Sequence, residues 1–116
     1  MGCRVYFVPL PESHYGVVVD RRTIVVSSRL HSDFQREVLA HEIGHVRYGH
    51  DLRVRHDVPR DEYRADLYAA RLLISPTEYA LAEALCDGDL GAVARELRVS
   101  TKLLHTWQQW MKGNAA

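Results

Sequence analysis

Residues 36–50 read REVLAHEIGHVRYGH, and this stretch decides the predicted fold and chemistry. His41 and His45 are four residues apart, so on a helix both imidazoles lie on one face and can reach a single Zn²⁺ ion. Glu42 lies beside them, where its carboxylate can take a proton from water that a metal activates. The spacing therefore predicts a helical HExxH metal site with Glu42 as the catalytic base.

The apolar residues around this motif predict that its helix is buried. At about 100° per residue they fall on two faces. The face on the side of the histidines holds Phe34, Val38 and Tyr48, and the opposite face holds Leu39, Ile43 and Val46. We expect such a helix to lie between a sheet and later helices. A buried helix rarely carries His and Glu unless they are paired or metal-bound, which favours a metal site over a solvated surface.

A catalytic zinc has three protein ligands and one open position, so the third ligand is expected from another helix. In the predicted helix over residues 61–74, Glu62 is the best candidate. Asp66, one turn later, can accept the free ring N–H of a ligating histidine. Ala65 and Ala69 allow close approach of a partner helix. The alternative for Glu62 is a first-turn acid that the helix dipole favours.

Other histidines and cysteines are weaker candidates. His50 is about 180° from His41 around the helix and is expected at its C-terminal end. His56 lies in the connecting segment and could reach the site. Cys3 could be a ligand, but a small buried apolar residue is the expected role. Cys3 and Cys86 stand apart, outside any CxxC motif, and predict neither a disulfide framework nor a zinc ribbon.

The order of predicted elements is strands first and helices afterwards. Residues 17–19 and 24–26 are β-branched runs around a short polar turn, which predicts a hairpin within a small antiparallel sheet over residues 1–28. Ser32 and Gln35 predict a capping box at the start of the HExxH helix. Four further helices are expected, over about residues 61–74, 76–86, 89–97 and 100–111. This order predicts an α+β fold.

Length and charge limit the possible classes of protein. The chain has 116 residues, 47% of them hydrophobic and 26% charged, with 15 basic and 15 acidic residues. These values predict one globular domain over residues 1–116 and disfavour a strongly basic nucleic-acid binder. No apolar run approaches the roughly 18 residues of a membrane span, so we expect a soluble cytoplasmic protein without membrane contact. The oligomeric state stays open.

The HExxH stretch, followed by DEYRADLYAARLLISPTEY at residues 61–79, resembles the ImmA/IrrE-type zinc metallopeptidases. The resemblance spans about residues 15–108 and rests on two motifs. It implies a zincin-like helical core formed by residues 32–86. It also implies that His41, His45 and Glu62 bind one Zn²⁺ ion and that Glu42 is the base.

The resemblance further implies a substrate class, because members of this family cleave transcriptional repressors in phage, mobile-element or stress-response systems. We expect a helix-turn-helix repressor, cut in an extended segment held at a sheet edge, with residues 17–19 or 24–26 as the candidate edge. The oxyanion donor stays open among Tyr63, His56 and Tyr68. The alternative function is a catalytically weak or inactive regulator that binds a repressor without cutting it.

The C-terminal residues 87–112 predict a helical pair that resembles a helix-turn-helix. A DNA-reading helix would be basic, yet residues 101–111 contain only one lysine, Lys102. We therefore expect plain helical packing here and no nucleic-acid partner.

Overall fold

The computed structural model describes residues 2–49 and 58–114. Within them, three strands precede five helices: β1 (Arg4–Val8), β2 (Gly16–Asp20), β3 (Thr23–Ser27), α1 (Ser32–Arg47), α2 (Val58–Leu73), α3 (Pro76–Leu85), α4 (Leu90–Leu97) and α5 (Thr101–Asn114). The predicted α+β class, with an N-terminal sheet and a helical core, is confirmed. In the described part of the chain, no helix combines the length and apolar character that a membrane span requires.

The sheet is mixed, so the prediction of a wholly antiparallel sheet is wrong. β2 and β3 form the predicted antiparallel hairpin, with Val17 opposite Val25, whereas β1 pairs with β3 in parallel, with Tyr6 opposite Val25. The chain reverses its direction between β1 and β2 and again between β2 and β3, so the third strand runs the same way as the first. The strand order β1-β3-β2 makes β3 the central strand, and residues 24–26 therefore form no edge.

Helix α1 lies between the sheet and α2, as predicted. The division of its residues between these two neighbours differs from the prediction. Val38 packs on the buried β3 residues Ile24 and Val26. Residues from both predicted apolar faces join this cluster: Phe34, Leu39, Ile43 and Val46. Both predicted apolar faces thus contribute to the cluster that contains the buried residues of the sheet. Toward α2 the helix presents small residues, Ala40 in the second core cluster and Gly44, because small side chains let two helices approach closely.

The second core cluster joins α1 to the later helices. Its buried members are Ala40, Ala69, Ala70, Ile74, Ala82, Val93, Ala94, Leu103, Leu104 and Trp107. Burial of this apolar surface is the main term that holds α2 against α5. The packing brings the start of α5 close to the middle of α2.

Serine side chains cap the starts of α3 and α5. The Glu78 backbone N–H donates to Ser75 Oγ at 3.1 Å, at the start of α3. The Leu103 N–H donates to Ser100 Oγ at 3.1 Å, at the start of α5. Side-chain oxygens at these positions satisfy amide groups that have no partner within the helix.

The predicted Ser32 cap of α1 is wrong. His31 is the N-cap, and its Nδ1 accepts from the Asp33 N–H at 3.2 Å. Ser32 is already the first helical residue, so its hydroxyl is one position too late to cap. Gln35 donates from its side-chain amide to the Leu30 carbonyl at 2.9 Å, which fixes the chain that leads into α1.

Candidate metal centre

Three donor atoms from α1 and α2 meet at one point. His41 Nε2 lies 2.7 Å from Glu62 Oε2 and 3.1 Å from His45 Nε2, and His45 Nε2 lies 3.3 Å from Glu62 Oε2. The two histidines project from adjacent turns of α1, and Glu62 comes from the first turns of α2. The structure thus brings together the three predicted ligands as a group that could hold a metal ion.

The hydrogen bond on the far side of His41 tests whether this group suits a cation. His41 Nδ1–H donates to Asp66 Oδ1 at 2.7 Å. With the proton on Nδ1, a neutral His41 directs the Nε2 lone pair at the lone pairs of Glu62. Facing lone pairs repel, so this arrangement favours a proton or a metal cation between the two atoms. The donor set therefore fits a cation, and two imidazoles with one carboxylate are ligands typical of catalytic zinc.

The spacing of the donor atoms also fits a small metal ion. In a tetrahedral site with bonds of about 2.0–2.2 Å, ligand atoms lie about 3.3 Å apart or slightly more. The separations are 3.3 Å, which matches this value, and 3.1 and 2.7 Å, which are shorter. Small outward shifts of the side chains would accommodate such an ion.

Burial differs sharply across the group. The His45 side chain is 1% exposed, whereas that of Glu62 is 42% exposed. The site is closed on the His45 side and open on the Glu62 side. Within the described part of the chain, the donor atoms are therefore more accessible from the side of Glu62.

His41 and Asp66 shift each other's pKa. Burial by itself lowers the pKa of His41, but the hydrogen bond and the charge of Asp66 outweigh it, so this pKa lies above its usual value. Burial raises the pKa of Asp66, but the contacts with His41 and Lys102 together outweigh it, and the net shift is downward. Asp66 Oδ1 thus accepts from His41, and its support of a metal ligand stays a prediction.

Glu42 is a buried carboxylic acid next to this group, with 7% of the residue exposed. Burial raises its pKa to about 7, against the opposing effect of His41. Within residues 2–49 and 58–114, no group donates a hydrogen bond to its carboxylate. A carboxyl group with a pKa near neutrality can both accept and release a proton at physiological pH.

The first residue of β2 lies against Glu42. A Cβ at Gly16 would be 3.3 Å from Glu42 Cγ and 2.7 Å from Val38 Cγ1, so only glycine fits without displacement. This contact places the start of the edge strand β2 beside the predicted base.

The structure assigns no role to the remaining candidate residues. Tyr63 is exposed, and Tyr68 packs edge-on against Tyr48 with ring centroids 6.2 Å apart. Neither observation tests whether Tyr63 or Tyr68 donates to the oxyanion. His50 and His56 lie outside the described residues.

The cysteines take no part in the described donor group. Cys3 and Cys86 are both free thiols. The prediction that Cys3 is buried is wrong, because it precedes β1 at the margin of the sheet and is exposed.

Two residues that the sequence reasoning missed touch this site. Lys102 Nζ lies 3.5 Å from Asp66 Oδ2, and Gly44 lies against Ala65 of α2. A glycine inside a helical pattern is a signal of close packing, so Gly44 could have been found from the sequence. Lys102 carries no such signal, because a helix-packing contact between distant segments follows no fixed spacing.

The His/His/Glu group could hold a metal ion, and comparison with protein families supports a protein of metallopeptidase type. The family model of the IrrE N-terminal-like domain, Peptidase_M78, matches residues 1–106. The chain belongs to this family, which confirms the resemblance seen in the two motifs. No curated protein and no solved structure matched in the corresponding searches.

Proposed function

We propose that this protein is a zinc-dependent endopeptidase, with His41, His45 and Glu62 as metal ligands and Glu42 as general base. The observation that carries this proposal is the convergence of three donor atoms beside a buried carboxyl group. Membership of the Peptidase_M78 family supports peptide hydrolysis as the reaction. Zinc is proposed over other metals because two histidines and one glutamate are a common ligand set of catalytic zinc.

Each residue of the site has its own role in the proposed hydrolysis. When bound, zinc supplies a Lewis acid that acidifies water and polarises the scissile carbonyl. Glu42 takes the proton of the attacking water at its carboxylate and delivers it to the leaving amine. Asp66 holds the proton on His41 Nδ1, so that Nε2 faces the metal position. The low exposure of Glu42 and His45 keeps bulk water away from one side of the site.

The edge strand β2 is the proposed place for the substrate backbone. It begins beside Glu42, and one of its sides has no neighbouring strand in the described sheet. Unpaired backbone groups at such an edge can hold an extended peptide. The ladder between β2 and β3 is irregular between Val18 and Asp20, so regular pairing with a substrate is expected only over the first residues of β2.

We propose a helix-turn-helix transcriptional repressor as the substrate, which would place the reaction in the cytoplasm. The resemblance to ImmA/IrrE-type peptidases supplies this class. The chain has no net charge, so electrostatic steering would be weak. Recognition would then depend on shape and on backbone pairing at β2.

The experiment uses zinc-loaded protein and the repressor encoded nearest to its gene, with products mapped by mass spectrometry. The matched control is Glu42→Gln, which keeps the size and hydrogen-bonding capacity of the side chain but cannot act as a base. Cleavage by the wild type and not by Glu42→Gln supports the proposal. An intact repressor, in cells under inducing conditions, contradicts it for this substrate, and tight binding without cleavage would favour the regulator alternative.

A further inference from the structure

The turn between α4 and α5 is hydrogen-bonded to α1, the helix that carries His41 and His45. Glu37 is a buried residue of α1, one turn before His41. Its Oε1 accepts from the Ser100 N–H at 2.8 Å and its Oε2 accepts from the Ser100 hydroxyl at 2.6 Å. Arg36, also on α1, donates from Nη2 to the Arg98 carbonyl at 2.9 Å. These bonds fix the start of α5 relative to the metal ligands on α1.

The fixed start of α5 brings Lys102 to the carboxylate that orients His41. Lys102 Nζ lies 3.5 Å from Asp66 Oδ2, while Asp66 Oδ1 accepts from His41 Nδ1–H at 2.7 Å. The two contacts use different oxygens of one carboxylate. Rotation of this carboxylate would break both contacts, so Lys102 opposes the rotation that would release His41.

We propose that Lys102 is a positioning residue of the metal site, acting through Asp66 on His41. This inference rests on the proposed metal site. It assigns the C-terminal helical pair a part in metal binding, in place of the DNA-reading role that a helix-turn-helix would suggest. Residues 101–111 contain one lysine and no arginine, and this lysine, Lys102, contacts Asp66.

The size of the effect follows from the exposure of the lysine. Its side chain is 81% exposed, so solvent and salt screen its charge. Exposed ion pairs of this kind contribute modestly. We expect loss of the Lys102 charge to weaken zinc binding by about two- to five-fold, the range of an exposed pair.

The test measures the zinc dissociation constant of the full chain by competition with a chromogenic chelator. Lys102→Met removes the charge and keeps much of the length, Lys102→Arg restores a cation, and Lys112→Met is the matched control at another exposed position of the same helix. We expect weaker zinc binding only in Lys102→Met, with a smaller difference at high salt. Thermal unfolding of the metal-free variants separates this effect from a loss of folding, and Lys102→Gln provides a second neutral variant.

A double-mutant cycle with Asp66→Asn tests the route of action. If Lys102 acts through Asp66, adding Lys102→Met to Asp66→Asn changes the zinc dissociation constant by less than about two-fold. An additive effect, or zinc binding by Lys102→Met equal to that of the wild type, overturns the inference and leaves the metal site intact. Wild-type protein that binds no zinc, or that keeps it after loss of both histidines, overturns the proposed metal site as well.

Discussion

Gly44 of the HExxH motif lies directly against the backbone of Ala65 on α2. A Cβ at Gly44 would be 3.0 Å from Ala65 Cα, 3.1 Å from the Ala65 carbonyl oxygen and 3.2 Å from Tyr68 Cβ. Two of these neighbours are backbone atoms, which cannot move without shifting the helix. Glu62, the proposed third ligand, lies one turn before Ala65 on the same helix, so this contact sets how near Glu62 comes to the histidines.

Gly44→Ala should therefore destabilise the fold and weaken the metal site together. The added methyl group must push α2 away from α1, and overpacking of this kind costs about 1–3 kcal/mol of unfolding free energy. The matched control is Gly91→Ala in α4, where a Cβ meets atoms only at 3.7 and 3.8 Å. We expect that control to stabilise by up to about 1 kcal/mol. Chemical denaturation measures the unfolding free energy of both variants. Equal changes in Gly44→Ala and Gly91→Ala would contradict the close helix contact.

The zinc content of the protein should depend on His41 and His45. We expect one zinc per chain in protein purified without a tag, and loss of this zinc in the double variant His41→Ala/His45→Ala. The reason is that the two imidazoles supply two of the three donor atoms at the site. Elemental analysis measures the content. Full occupancy in the double variant would show that zinc binds elsewhere.

Glu42 and Glu62 should respond differently to substitution. Glu42→Gln is expected to keep zinc and the fold while hydrolysis is lost, because Glu42 is assigned to water rather than to the metal. Glu62→Ala should weaken zinc binding itself, since its Oε2 lies within 3.3 Å of both imidazole Nε2 atoms. Parallel measurements of zinc affinity and peptide cleavage decide the roles. An empty site in Glu42→Gln with a full site in Glu62→Ala would reverse the assignment.

Asp66→Asn should lower zinc affinity or activity by about 10–100-fold. The variant keeps the shape of the side chain but removes the charge that holds the proton on His41 Nδ1. Zinc competition assays on folded protein measure the change. An affinity and activity equal to those of the wild type would mean that the His41 contact does not support the metal site.

Ser100→Ala should destabilise the protein by about 1–3 kcal/mol, because it removes a bond to the buried Glu37 carboxylate and the cap of α5. Ser13→Ala is the control, since the Ser13 hydroxyl bonds only to the neighbouring, exposed His14 among the described residues. Urea denaturation measures both variants. Equal unfolding free energies would show that the Glu37 bond contributes little to stability.

Much of the site could be predicted because its main elements are local. His41, Glu42 and His45 share two turns of one helix, and helical periodicity fixes their relative positions. Glu62 and Asp66 follow the same rule on α2, and the small residues Ala65 and Ala69, which indicate the face that packs, are fully buried in the structure. The failed Ser32 cap shows the limit of this method, since a shift of one residue at a helix end changes no periodicity.

The sequence by itself determined the α+β class, the HExxH helix and the pattern of the second ligand helix, because each depends on spacing within a short segment. Only the tertiary structure decided that β3 is central and β2 is the edge beside Glu42. It also decided that Glu37 holds Ser100 and that Lys102 meets Asp66. These contacts join segments far apart in the chain, and the packing of whole helices and strands, rather than any local periodicity, sets which distant side chains meet.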